Sequence, residues 1–452
     1  MLEWLPHALR YVDQWLTYQM RLTEQPGCVI AISNGPDVVL EQAFGVADLL
    51  SHAPMTPRHR FRVASHSKSF TAAGVMLLRE HGRLRLDDFL GQFASDLPEA
   101  LAKATVGQVL SHAAGLSRDG NDCAHWDDLA PFPDPKWLRE QLAKPPVLSP
   151  GERMKYSNLG YALIGLIIES VTGESFEAWM TREVVVRAGL METTPDFAAE
   201  TCEPLATGHS GKLPIGRRAT ASRIPTNALK PAAGFVSTAR DLVRFYSQLD
   251  PAAGDSILSP ASRRDMTRRH WKSLHTSGEY YYGLGIIAGS VEDHEYFGHT
   301  GGFYGFQSRT CVLPSLGITV SILVNAVDGP ADGWIDGVVQ ILDRFAKAGP
   351  PTMAVAEWTG RWWNAWGVVD LVPLGEVVLL ASPDSTTPFS DAPEVAVSSR
   401  DHGWIKTASG FGSFGEDVVR TMGVDGTPVS ITIAGEKHVS ETTLIRNHSV
   451  RA

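Results

Sequence analysis

The pattern of apolar residues changes once along the chain, near "AGPPTM" at 348–353. That change limits the fold to two differently built parts. Upstream, apolar side chains recur at helical spacing in "VASHSKSFTAAGVMLLREHG", "NLGYALIGLIIESVTG", "STARDLVRFYSQL" and "GWIDGVVQILDRFAKA". Downstream, short β-rich runs ("EVVLLASP", "GWIKTA", "VVRTMGVDG", "VSITIAG") alternate with Gly, Asp and Pro turns, and no long helical period appears. The expected domains are therefore 1–348 and 349–452, the second a small all-β barrel. In it, Trp362, Trp363 and Trp366 read as barrel core.

In the first part, β-rich runs flank Asn34-Gly35, a favoured hairpin turn. A cluster of strands also precedes the last helix ("YYGLGIIAG", "HEYFGHTGG", "FQSRTCVLP", "GITVSILVNA"). Hairpin, many helices, strand cluster, helix is the order of an α+β architecture, an antiparallel sheet flanked by helices. Thr105 and Gln108 have capping-box spacing, and Ser237 reads as the N-cap of "STARDLVRFYSQL". The basic run "RRDMTRRHWK" (Arg263 to Lys272) reads as a solvated helix face. Residues 117–155 and 200–234 read as long irregular excursions.

Composition excludes several classes of function. A formal net charge of −10 argues against general nucleic-acid affinity. No apolar run reaches transmembrane length, and the start reads as an amphipathic helix rather than a signal peptide, so no membrane partner is expected. The four cysteines are far apart and form no CxxC pair, which fits a reducing, cytoplasmic setting. The histidines do not cluster at ligand spacing, so no metal or cofactor is expected. "GFGSFG" (Gly410 to Gly415) matches a dinucleotide fingerprint but has no helix after it, and reads as turns.

The first of these helices opens with Ser65, Ser67, Lys68 and Ser69. Ser65 and Lys68 are three residues apart and share one face of a helical turn. A serine hydroxyl needs a base, and a lysine can serve only when burial keeps it neutral. A helix N-terminus adds N–H groups that can stabilise an oxyanion. On its own, Ser-x-x-Lys is also an ordinary helix start. Likewise Tyr156 could be a half-buried tyrosine, Asn158 a helix cap and His299 a core histidine.

Two further segments, "GERMKYSNLGY" and "FGHTGGFYGF", supply Tyr156-Ser157-Asn158 and His299-Thr300-Gly301-Gly302. Ser-x-x-Lys, Tyr-x-Asn and His-x-Gly in this order resemble the serine β-lactamase and penicillin-binding-protein superfamily. The spacing is similar to its branch of class C β-lactamases, family VIII carboxylesterases and D-aminopeptidases. The resemblance spans about 8–345 and includes "VLSHAAGL" and "AAGFVSTARDL". It implies a β-lactamase-like domain with the sheet, an all-helical region and a cleft between them. The barrel more weakly resembles the lipocalin-like domains appended to D-aminopeptidases.

By that resemblance Ser65 forms an acyl-enzyme. Lys68 and Tyr156 share the proton transfers, with Tyr156 a phenolate or relay that needs a cation to lower its pKa. Asn158 orients Lys68 and donates to substrate, and His299, Gly301 and Gly302 bind substrate or the oxyanion. Histidine at 299, where β-lactamases and DD-peptidases usually carry lysine, weakens the β-lactam reading. The expectation is a serine hydrolase acting on an ester or amide of a small acyl compound, with D-amino-acid amides or short D-peptides as one option. The alternatives are a β-lactamase of weak activity, an acyltransferase or a non-hydrolytic binding protein; a homo-oligomer stays open.

Overall fold

The computed structural model describes residues 2–199, 202–273 and 279–449. In chain order the strands of the first part are β1 (Gly27–Asn34), β2 (Asp37–Gly45), β3 (Phe61–Arg62), β4 (Val236–Ser237), β5 (Trp271–Ser273), β6 (Tyr280–Tyr282), β7 (Ile287–Val291), β8 (His294–Phe303), β9 (Phe306–Leu313) and β10 (Ile318–Val324). Eight of them form one antiparallel sheet in the order β2-β1-β10-β9-β8-β7-β6-β5, while β3 and β4 pair separately. The hairpin expected at Asn34-Gly35 is present. Asn34 is itself paired with Asp37, so Gly35 and Pro36 make the turn, with Gly35 at φ +57°, a conformation glycine adopts without penalty.

The helix Ala239–Gln248 packs on β1, β9 and β10. The helix His66–Glu80 packs both against β8 and against the helices Asn158–Thr172 and Lys230–Ala233. It therefore lies where the sheet meets the helical region, and its side chains from Phe70 to Leu78 are buried. This is the mixed α+β architecture with a helical region that the sequence implies. No single helix among the described residues is long and apolar enough to cross a membrane.

The second part is a closed eight-stranded barrel: β11 (Gly360–Trp363), β12 (Val368–Leu374), β13 (Val377–Ala381), β14 (Glu394–Val397), β15 (His402–Thr407), β16 (Asp417–Met422), β17 (Pro428–Ile433) and β18 (Glu436–Val439). Closure leaves no free sheet edge. Val355, Trp358, Trp362, Leu371, Val378, Val395, Ile405, Val418 and Ile431 fill its core. "GFGSFG" lies between β15 and β16, outside any helix.

By contacts, the chain divides into Gln25–Ile335 and a second unit made of Met1–Glu24 with Asp336–Ala452. The sequence suggests a single cut after 348. Instead, the opening helix Leu5–Leu22 belongs with the barrel. Tyr11 donates to Asp370 Oδ2 at 3.2 Å, Trp15 Nε1 to Ser385 O at 3.1 Å and Gln19 Nε2 to Pro383 O at 2.7 Å. An amphipathic helix announces that it has a buried face, not what covers it.

Four local expectations are corrected. Thr238, not Ser237, caps the helix Ala239–Gln248, its side chain accepting from Asp241 N–H; Ser237 is taken up by β4. The basic run is not one exposed face: its helix ends at Thr267, and Arg263 is buried, donating to the Asp250 and Ala253 carbonyls at 2.5 and 3.0 Å. Trp366 is 89 % exposed, because Asn364 turns the chain there by accepting from the N–H groups of Trp366 and Gly367. A final helix, Glu441–Ser449, follows β18, where the sequence suggested only strands.

Candidate active site

The approach to the helix His66–Glu80 is a tight turn. After β3 the chain passes through Ala64 at φ +48°, a left-handed conformation costly for any residue with a Cβ. Ser65 follows as the N-cap residue without using its own side chain as a cap. The hydroxyl is thereby left free to face the cleft.

Lys68 answers why a buried helix carries a lysine in its first turn. Its side chain is 0 % exposed. Nζ lies 3.1 Å from Ser65 Oγ, 2.7 Å from Asn158 Oδ1 and 2.9 Å from Ala232 O. The Asn158 and Ala232 oxygens can only accept, so each fixes one N–H. The third direction points at Ser65. As an ammonium Lys68 donates there; as a neutral amine it presents its lone pair. Burial pulls its pKa well below 10.5, opposed by the Asp119 carboxylate and assisted by Arg118. The neutral form, the one that can take the Ser65 proton, is thus favoured.

Tyr156 completes the group. Its hydroxyl donates to Ser65 Oγ at 2.8 Å, and Lys68 Nζ sits 4.7 Å from the centre of its ring. The sequence asks whether a cation lowers this phenol. It does not: burial raises its pKa, and the bond to Ser65 and the charge of Arg118 oppose that only in part. Tyr156 is therefore held as a neutral phenol, not a resident phenolate. Its ring lies against His112, with centroids 4.2 Å apart and the planes tilted by 38°, and His112 Nδ1 accepts from Ser157 N–H at 3.1 Å.

Asn158 is not the helix cap. Ser157 has that role, its Oγ accepting from Gly160 N–H at 2.9 Å, which releases the Asn158 amide for the site. That amide is oriented by a residue the sequence did not single out. Asp119, 8 % exposed, accepts from Asn158 Nδ2 at 2.5 Å and from Trp126 Nε1 at 2.9 Å, and pairs with Arg118 at 3.2 Å. With the amide NH₂ held by a carboxylate, its oxygen must face Lys68. The one hint was that Arg118 and Asp119 open the irregular stretch 117–155.

His299 lies inside the protein rather than on the cavity wall. It is 2 % exposed. Nδ1 donates to Thr300 O at 2.7 Å, and Nε2 accepts from Tyr282 OH at 3.0 Å. Burial first, then the charge of Lys68, lowers its pKa to about 3. Both nitrogens are engaged and the ring is neutral, so it offers no charge to a substrate carboxylate. The two glycines also separate. A Cβ on Gly301 would meet Val63 O at 2.3 Å and Ser308 Oγ at 2.4 Å, whereas one on Gly302 would meet nothing closer than 3.5 Å. Gly301 is needed so that β8 can pack against the turn before Ser65, whereas a Cβ on Gly302 would make only ordinary contact with Gln307.

A cavity of about 370 Å³ is lined by Ser65, Arg118, Asp119, Trp126, Asp127, Asn158, Gly302, Phe303, Tyr304, Gln307 and Val327. The pairing of β8 with β7 stops at Gly298, so from His299 onward the edge of β8 away from β9 has no strand partner among the described residues. Gly302 lies on that stretch and lines the cavity with Ser65.

A family model described as Beta-lactamase matches residues 12–341. Penicillin-binding protein 4* of Bacillus subtilis is 27 % identical over 296 residues, a match covering 62 % of this chain and 64 % of that protein. The chain therefore spans a little under two thirds of that relative. Among solved structures, the octameric penicillin-binding protein homologue from Pyrococcus abyssi matches with a TM-score of 0.66 at 22 % identity, covering 96 % of this chain and all of that one. The D-amino acid amidase from Ochrobactrum anthropi SV3 matches with a TM-score of 0.64 at 22 % identity, covering 75 % of this chain and 99 % of the other.

Proposed function

The chain belongs to the Beta-lactamase family, and from the geometry around Ser65 we propose that it is a serine hydrolase acting through an acyl-enzyme on an ester or amide of a small acyl compound. The observation that carries this reading is the fully buried Lys68, 3.1 Å from Ser65 Oγ with its other two directions occupied by acceptors.

Ser65 Oγ attacks the substrate carbonyl and its proton passes to neutral Lys68. The Tyr156 hydroxyl, already bonded to Ser65 Oγ, delivers a proton to the departing oxygen or nitrogen and is replenished from Lys68. Backbone N–H groups of Ser65 and Gly302 receive the charge that builds on the carbonyl oxygen. Asn158 holds Lys68 and turns one face to the cavity. Water then repeats the sequence on the acyl-enzyme, with Lys68 and Tyr156 exchanging roles.

The cavity supports a small substrate. Its lining carries one cation, Arg118, and two carboxylates, Asp119 and Asp127; Asp119 is occupied by Arg118, Asn158 and Trp126. Asp127 remains for a substrate ammonium, which favours amides of amino acids, with the D hand as the specific option. His299, neutral and buried, adds no cation for a β-lactam carboxylate, and Arg118, the cation in the lining, is paired with Asp119. A homo-oligomer and a reducing, cytoplasmic compartment, in keeping with the free thiols, belong to the same reading. Turnover of paired ester and amide substrates of both hands, wild type beside Ser65→Ala, tests it. Hydrolysis absent from the variant is expected; hydrolysis by Ser65→Ala at the wild-type rate contradicts it.

A further inference from the structure

His112, in the stretch "VLSHAAGL", has no step of its own in the reaction, yet it holds the chain on both sides of Tyr156. It follows the short helix Val106–Leu110, which Ser111 closes, and its backbone is left-handed at φ +59°. His112 N–H donates to Val109 O at 3.0 Å, and Ala113 N–H donates to Gln108 O at 2.6 Å. These are the two bonds of a Schellman turn, whose left-handed position glycine fills most easily. Here a residue with a Cβ and a ring occupies it. Such a conformation persists only where the surroundings hold it, and it points to a use for the side chain.

The surroundings are those of Tyr156. Lys155 N–H donates to His112 O at 2.7 Å, and Ser157 N–H donates to His112 Nδ1 at 3.1 Å. The residues before and after Tyr156 are thus both bonded to His112, one through its backbone and one through its ring. The ring is buried, with its centre 4.2 Å from that of Tyr156 and 4.5 Å from that of Tyr282. Because Nδ1 accepts, the proton of the neutral imidazole sits on Nε2. Nε2 is buried and has no hydrogen-bond partner among the described residues. Burial first, then Lys68, His299 and Arg118, hold the His112 pKa well below 6.5. One nitrogen is taken by the backbone and the other meets no acceptor, so His112 does not carry protons to or from Ser65.

Resting on the acyl-enzyme reading of Ser65, we propose that His112 is a positioning residue, which clamps both neighbours of Tyr156, backs its ring and so keeps its hydroxyl on Ser65 Oγ. That hydroxyl serves a leaving group only while it stays there, 2.8 Å from Oγ. A displacement of about 1 Å is enough to lose about a hundredfold in rate.

Two esters of one acid test this. Methoxide departs only as a proton reaches it, so methyl butanoate needs the Tyr156 hydroxyl, whereas p-nitrophenolate departs without one. His112→Gly suits the left-handed turn and removes the ring with its acceptor. It is expected to lower kcat/KM by about 10–100-fold for methyl butanoate but by less than about threefold for p-nitrophenyl butanoate. His112→Asn also suits the turn and returns an acceptor to the side chain, so it should recover most of the loss. An equal fall for both esters is the mark of a structural role alone and overturns the proposal. So does His112→Asn no faster than His112→Gly, or no loss in His112→Gly. Should His112→Gly not fold, His112→Phe, which fills the space without the acceptor, takes its place with the same expectation. Ser65→Ala tests the reading beneath: wild type that hydrolyses neither ester, or Ser65→Ala that hydrolyses them at the wild-type rate, contradicts the acyl-enzyme and the proposal with it. Ser65-dependent hydrolysis with an equal fall in His112→Gly overturns the proposal alone.

Discussion

Two buried cations, one in each unit of this protein, are handled differently. Lys68 is enclosed by three acceptors, and burial drives it toward the neutral amine. Arg420 is enclosed by an indole ring and apolar side chains and has donors to spare. Lysine can shed its proton, so burial turns it into a base. Arginine keeps its proton, so burial leaves charged donors without acceptors.

The comparison is broken most severely at Lys68. Lys68→Ala should lower the acylation rate by about 10³–10⁴-fold, the scale of a lost general base. Lys68→Arg should be as inactive although it keeps the charge, because what matters is the ability to be neutral. Stopped-flow acylation with a chromogenic ester checks both, and a Lys68→Arg variant with near-normal acylation would mean that Lys68 acts only as a fixed charge.

A smaller loss is expected one residue further out. Asp119→Ala frees the Asn158 amide to turn over, so kcat should fall by about 10–100-fold, the cost of misplacing a catalytic group. The pH at which activity rises should also move, because Asp119 acts on the Lys68 charge. A kcat–pH profile separates this from simple loss of stability, which would leave the profile in place.

These residues were unequally legible. Ser65 and Lys68 could be paired from sequence because helical spacing alone brings them together. Tyr156 and Asn158 became candidates only through motif order. Asp119 was out of reach: its partner is 39 residues away, and a stretch rich in Pro, Asp and Trp has no periodicity from which to derive its path. His299 was also picked out by motif order, but that Tyr282 and Thr300 take both its nitrogens was not legible, since a strand residue facing Tyr282 looks in sequence like one facing a cleft. The barrel showed itself by short strands and turns. Arg420 did not stand out, because inward and outward positions of β16 differ only once the barrel closes. Nor could Leu5–Leu22 be assigned to the barrel, a choice made by contacts 359–370 residues distant.

Stability should sharpen the contrast by a few degrees. Folding lowers the Lys68 pKa below its ordinary 10.5, so between the two values folding releases a proton, and stability falls as pH drops from 10.5 toward the folded value. Lys68→Met should therefore melt about 2–4 °C higher than wild type near pH 7, with the gain fading as pH approaches 10.5. Arg420→Met should show a gain that does not fade over that range. Melting curves at pH 7 and 10 measure both; a Lys68→Met gain that persisted at the higher pH would contradict the depressed pKa.

The smallest effect is expected in acid. His299 is held neutral, with its pKa lowered from 6.5 to about 3. The unfolded chain binds a proton there first, and stability declines as pH falls from 6.5 toward 3. His66 and His112, also lowered by burial, act in the same direction. His299→Gln, which preserves a donor and an acceptor, should unfold at a modestly lower pH than wild type; an unchanged acid midpoint would remove His299 from this account.

The central claim is that a neutral, buried Lys68 activates Ser65, and intact mass after incubation with a fluorophosphonate probe tests it most directly. Wild type should gain a single adduct, Ser65→Ala none, and Lys68→Arg should acquire it at least about a thousandfold more slowly. Wild type that stays unlabelled, or Lys68→Arg labelled as fast as wild type, would contradict it.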